Sequence, residues 1–193
     1  MNINTYPISG REGSFFFGCA RISLAAAGVA LAAAMLLRAS SMPRAAADDT
    51  PTRAPLVPGR RAELRRLLRA AIAHGQPRTR RPWKKILVCV EGLYSMEGAI
   101  CKLPEIVTVC KRYKAYLFVD EAHSIGALGA TGRGVAEHTG VSPDAVDCFM
   151  GTFTKSFGSV GGYIASSQEV IDILKRKCTG HIEACSISPA CAK

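Results

Sequence analysis

Ala115-Tyr116-Leu117-Phe118-Val119-Asp120-Glu121-Ala122-His123 is the stretch that decides the fold. Five largely apolar residues run straight into an acid, which reads as a buried strand ending in a functional loop. A second such stretch, Val146-Asp147-Cys148-Phe149-Met150, feeds Gly151-Thr152-Phe153-Thr154-Lys155-Ser156-Phe157-Gly158, and its lysine stands 35 positions after Asp120. α/β proteins place ligand groups at the carboxyl ends of parallel strands, so both loops are expected at one edge of one sheet.

The neighbouring segments fit that frame. Residues 86–90 read as a buried strand and residues 103–113 as a helix, and a strand at 115–119 completes a β-α-β unit of a parallel sheet. Downstream come a glycine-rich loop at 126–134, a short strand at 161–165 and a helix at 168–177. Upstream, Leu64, Leu67, Leu68 and Ile72 recur at helical spacing within 60–73, and Gly75 ends that helix. The basic stretch 77–85 around Trp83 is broken by Pro77 and Pro82 and reads as a solvated turn, so no nucleic-acid partner is expected.

Composition bounds the rest. The chain has 193 residues, enough for one ordinary domain, and 48% hydrophobic residues argue against wholesale disorder. Residues 1–85 hold 15 Lys/Arg against 4 Asp/Glu, a balance of +11, whereas residues 86–193 hold 10 against 11. The basic excess therefore belongs to the amino-terminal part. Of the 8 cysteines none forms a C-x-x-C pair, and Cys89, Cys110 and Cys148 lie inside apolar runs. Buried free thiols in a reducing compartment are expected, with no metal site.

Residues 1–60 differ in character and are read as a leader, with residues 61–193 as the folded part. The run at 22–37, ISLAAAGVALAAAMLL, is flanked by Arg21 and Arg38. As a helix it would span about 24 Å, short of a bilayer core of ~30 Å. It reads as a membrane anchor or signal, as an organelle transit peptide, or as a leader without function. Residues 48–59, with Pro51, Pro55 and Pro58, form a linker.

Nucleotide motifs are excluded. Gly126, Gly129, Gly132 and Gly134 miss the G-x-G-x-x-G pattern, and Lys155-Ser156 lacks the preceding glycine of a P-loop. An Asp, a His and a Lys on adjoining loops suit pyridoxal phosphate instead. That cofactor needs a lysine for its aldehyde, a carboxylate for its pyridinium nitrogen and hydroxyls for its phosphate. Asp120, His123, Lys155 and the Thr152 hydroxyl are the candidates. Taken one at a time, Asp120 reads equally as a helix cap, His123 as a satisfied core histidine and Lys155 as a surface lysine.

The motifs together narrow the choice. Glu91-Gly92-Leu93-Tyr94-Ser95-Met96-Glu97-Gly98, the stretches at 120–126 and 151–158, Gly129-Ala130-Thr131-Gly132-Arg133-Gly134 and Gly161-Gly162-Tyr163 resemble the α-oxoamine synthases over residues 62–190. These are fold-type I pyridoxal-phosphate enzymes that condense an amino acid with an acyl-CoA and release carbon dioxide. The resemblance implies the partial large domain of such a fold, α/β with a mainly parallel sheet and flanking helices. Residues 76–85 and Thr154 resemble the eukaryotic branch that joins L-serine to palmitoyl-CoA to give 3-ketosphinganine.

By the same resemblance Lys155 matches the Schiff-base lysine and proton-transfer group, and Asp120 the acid on the pyridine nitrogen. His123 and Ser95 match groups around the ring hydroxyl, and Thr152 a phosphate ligand. It also implies a heterodimer with a non-catalytic long-chain-base subunit, on the cytosolic face of the endoplasmic reticulum membrane. A mitochondrial, glycine-using sister enzyme and an inactive fragment that titrates the partner subunit are the other readings. The family's ring-stacking histidine, its upstream phosphate turn and its carboxy-terminal small domain have no counterpart here. Little activity is therefore expected of these 193 residues alone.

Overall fold

A computed structural model describes the backbone of residues 14–18 and the residues 61–76, 79–178, 181 and 190. The order of elements is β1 (Ser14–Gly18), α1 (Arg61–His74), β2 (Leu87–Glu91), β3 (Leu93–Tyr94), β4 (Ala99–Ile100), α2 (Leu103–Tyr113) and β5 (Tyr116–Asp120). There follow α3 (Val135–Thr139), a 3-10 turn (Pro143–Ala145), β6 (Cys148–Thr152), β7 (Gly162–Ser166) and α4 (Gln168–Lys177). The expected strands and helices lie within a residue or two of their sequence positions. The apolar run at 22–37 and the linker at 48–59 fall outside the described residues.

The main sheet has the order β1-β7-β6-β5-β2. β2, β5 and β6 are mutually parallel, and β7 is antiparallel to both β6 and β1. Four of the five strands thus point the same way, the mainly parallel sheet that the sequence suggested. β5 lies inside the sheet, between β6 and β2, and carries Leu117, Phe118 and Val119 buried in succession. A strand covered on both faces needs such a continuous apolar run, because successive side chains point to opposite sides.

The layers follow. On one face α1 and α2 pack Leu64, Leu68, Leu103, Ile106 and Val109 against Val88, Val90, Leu117 and Val119. On the other, α4 sets Ile171 and Leu174 against Phe118, Cys148 and Met150. Pro104 starts α2 where its missing N–H is harmless, and Lys114 ends it in the left-handed region at φ 52°.

One local reading needs correction. Cys110 and Cys148 are buried as expected, but Cys89 is exposed. β2 ends the described sheet, and although Leu87 on the same face packs against the second cluster, Cys89 belongs to neither cluster of the described residues. The strand at Ser14–Gly18, inside the stretch read as a leader, was not foreseen; it pairs with β7 along its whole length. The basic turn at 79–85 is exposed, as expected.

Candidate active site

Parallel pairing brings the carboxyl ends of β2, β5 and β6 to one edge, with Glu91 beside Asp120 and Asp120 beside Met150. The loops that leave these ends carry the candidate residues. Lys155, three residues past β6, places its Nζ 2.6 Å from Nε2 of His123. Which of the two donates depends on the His123 tautomer; with its ring proton on Nδ1, Nε2 accepts from the Lys155 amine. His123 is therefore not a core histidine satisfied by backbone groups; its ring nitrogen serves the lysine.

Asp120 is half-buried at the end of β5. Burial pushes its carboxyl above the usual value, and the Ala122 N–H and the proximity of Lys155 and His123 pull it partly back. Its Oδ1 accepts the Ala122 N–H at 2.8 Å, and no hydrogen bond among the described residues uses Oδ2. The result is a carboxylate held in place with one oxygen to spare beside a lysine and an imidazole.

The lysine loop is docked from both sides. Ser156 Oγ donates to the Ile125 carbonyl at 2.5 Å, tying it to the loop after β5. Gly126 makes that contact possible: it sits at φ +76°, and a Cβ there would meet Ser156 Oγ at 2.5 Å. Phe153 packs on Phe157 and on Tyr163 at centroid distances of 5.6 and 5.7 Å. The Tyr163 ring lies where a side chain at position 151 would stand, which accounts for Gly151.

Thr152 is buried, and its hydroxyl lies 3.0 Å from the Gly161 carbonyl and 2.8 Å from Thr154 Oγ1 while accepting the Thr154 N–H. It has one proton to donate, so a phosphate oxygen would have to draw it from these internal acceptors. Ser95 lies on the exposed turn between β3 and β4, in the loop region after β2. The structure therefore joins Asp120, His123 and Lys155 closely, with Thr152 buried at the end of β6 and Ser95 on the hairpin after β2.

Sequence reasoning passed over Glu121, Ser124, Ser156 and Glu137. Glu137 folds the glycine loop onto α3 by accepting from the Thr131 hydroxyl and the N–H groups of Thr131 and Arg133. The Thr131 hydroxyl is the largest cause of its lowered pKa. Glu121 was legible in one respect: an acid directly after a buried strand needs donors, and a serine follows three residues later.

The family model for aminotransferase class I and II matches residues 60–192. The chain belongs to this family. Within it, the chain is 67% identical over 128 residues to long chain base biosynthesis protein 2d of Oryza sativa subsp. japonica, covering 66% of this chain and 26% of that protein. It is 58% identical over 130 residues to serine palmitoyltransferase 3 of Homo sapiens, covering 67% and 24%. A solved serine palmitoyltransferase with its PLP internal aldimine superposes with a TM-score of 0.57 at 36% identity, over 68% of this chain and 31% of that one. The family member described here spans about a quarter of the length of the curated relatives it matches.

Proposed function

We propose that this chain carries the lysine-bearing core of a pyridoxal-phosphate-dependent serine palmitoyltransferase, which condenses L-serine with palmitoyl-CoA, releasing carbon dioxide, to give 3-ketosphinganine. The observation that carries the reading is the Lys155–His123 contact at 2.6 Å beside a half-buried Asp120, in a chain 67% identical to a long chain base biosynthesis protein. The residues fit the cofactor. Asp120 has a spare oxygen in a partly desolvated place, which suits a protonated ring nitrogen, and the Lys155 amine suits an aldehyde.

When bound, pyridoxal phosphate supplies an electron-accepting ring that stabilises negative charge at the α-carbon of an amino acid. Asp120, with Oδ2 unused among the described residues, would hold the protonated ring nitrogen. Lys155 Nζ takes the proton from the serine α-carbon. His123, with Nε2 as acceptor, orients that amine and the oxygens around it. Thr152 and Ser95 offer hydroxyls to the phosphate and the ring hydroxyl. The same reading assigns a heterodimer with a non-catalytic long-chain-base subunit on the cytosolic face of the endoplasmic reticulum membrane. Among the described residues no helix is long and apolar enough to cross a membrane. A fusion of residues 1–60 to a fluorescent reporter tests the location: reticular signal is expected, mitochondrial signal favours the glycine-using sister enzyme, and diffuse signal removes the anchor.

Two measurements test the chemistry. Borohydride reduction of the chain with pyridoxal phosphate, followed by peptide mapping, is expected to label Lys155; label on Lys85 or Lys177 overturns the site. Product analysis in the presence of the non-catalytic subunit is expected to find 3-ketosphinganine from serine and palmitoyl-CoA. A product from glycine alone overturns the substrate.

A further inference from the structure

Among the described residues the buried polar side chains are Glu121, Ser124 and Thr152. Thr152 belongs to the site already described; the other two do not. Glu121 follows Asp120 and turns its carboxylate inward, where it accepts from Ser124 Oγ and from the Val135 N–H at 3.1 Å. Its main-chain carbonyl accepts the N–H groups of Ser124 and Ile125 at 3.0 and 2.9 Å. Both ends of the residue therefore close the same turn.

The socket has no slack. A Cβ at Gly92 would meet Ser124 Oγ at 2.5 Å and Glu121 Oε2 at 3.1 Å, and one at Gly134 would collide with the carboxylate itself. Three segments thus converge on one charged group: the loop after β2 at Gly92, the turn after β5, and the entry to α3 at Gly134. Gly92 also donates to the Asp120 carbonyl and accepts from the Cys101 N–H, so the hairpin bearing Ser95 is tied to the same point. Within residues 121–124 only the His123 side chain is not buried.

We propose that Glu121 is a positioning residue for this site: its buried carboxylate gathers the Gly92, Ser124 and Gly134 segments and so holds His123 against Lys155. This rests on the reading of Asp120, His123 and Lys155 as the pyridoxal-phosphate site. Burial raises the pKa of this carboxyl, as does the neighbouring Asp120, while donation from Ser124 and from the Val135 and Ala136 N–H groups pulls it back and favours the anion, which only accepts. An amide in its place keeps one accepting oxygen for the Val135 N–H, but its NH2 makes Ser124 Oγ an acceptor rather than a donor and the charge is lost, so the grip on the turn is weakened.

The test uses the full chain with E121Q and S124A. In cofactor-free protein labelled with 15N-imidazole histidine, His123 of the unsubstituted chain is expected to show the Nδ1–H tautomer, with Nε2 an acceptor. E121Q is expected to unfold cooperatively yet lose that signature, and to slow borohydride-trapped labelling of Lys155 at least about fivefold. S124A, which removes one donor and keeps the packing, is expected to move both readouts the same way but less. A folded E121Q with unchanged tautomer and labelling rate overturns the proposal, as does an unchanged S124A where E121Q does not fold. Failure of both variants to fold also overturns it, because Glu121 is then structural only. The tautomer needs neither cofactor nor substrate, so an unsubstituted chain that never labels at Lys155 refutes the proposed function without deciding the role of Glu121.

Discussion

Asp120 sits where function and stability pull apart. Burial raises its pKa in the folded chain, so ionising it is harder there than in the unfolded chain, where a carboxyl titrates near ~3.9. The stability this group contributes is complete below that unfolded value and is lost as pH rises through the folded one. Asp120→Asn keeps an oxygen for the Ala122 N–H and removes the charge. Calorimetry of the cofactor-free variant is therefore expected to give a higher Tm than the parent at pH 7, with the gap closing toward pH 3. A lower Tm at pH 7 would contradict the sign. The same substitution is expected to slow exchange of the serine α-proton in the presence of pyridoxal phosphate by about a hundredfold. Breaking a buried ion pair typically costs ~3–5 kcal/mol, and the ring nitrogen would lose its partner. A residue that weakens the empty fold and is needed in the filled site is held there by its chemistry.

At the scale of elements, the site depends on loops whose backbone leaves no room for ordinary residues. Gly126 combines φ +76° with a hydroxyl 2.5 Å from where its Cβ would be. Left-handed backbone costs a residue with a Cβ about 1–2 kcal/mol, and the contact with Ser156 adds to it. Gly126→Ala is thus expected to lower stability by roughly 2 kcal/mol, read as a shift in urea midpoint at constant slope. It is also expected to slow labelling of Lys155, because Ser156 would have to leave the Ile125 carbonyl. Unchanged stability would mean that the loop docks in another way.

For the whole molecule, Cys89 belongs to neither of the two apolar clusters of the described residues, although Leu87 on the same face of β2 packs against one of them. Burial pushes the thiols of Cys101, Cys110 and Cys148 up to about 12, so they remain protonated and shielded. Cys89 is exposed. Brief alkylation of the native chain with mass mapping is expected to modify Cys89 well before those three. Labelling of all four at one rate would show that the sheet and its helices do not pack as described. Exposed edge strands invite pairing with other chains, and the described sheet ends at β1 and at β2.

Much of this was legible in the sequence because the signals are local. Continuous apolar runs marked β2, β5 and β6, 3–4 spacing marked α1, and a lysine between two glycines after a strand marked Lys155. Asp120 and His123 were legible as candidates by type and position, though each alone also suited an ordinary structural role. Tertiary structure decided what depends on pairing between distant segments. Periodicity states that a strand is buried, not which strand lies beside it, so the order β1-β7-β6-β5-β2 and the place of Ser14–Gly18 were out of reach. The exposure of Cys89 follows from an end position in that order, which no apolar run records. The contact of His123 with Lys155 across 32 residues, and the convergence on Glu121, arise because parallel strands bring their carboxyl ends to one edge, where loops far apart in the chain must share the same donors and acceptors.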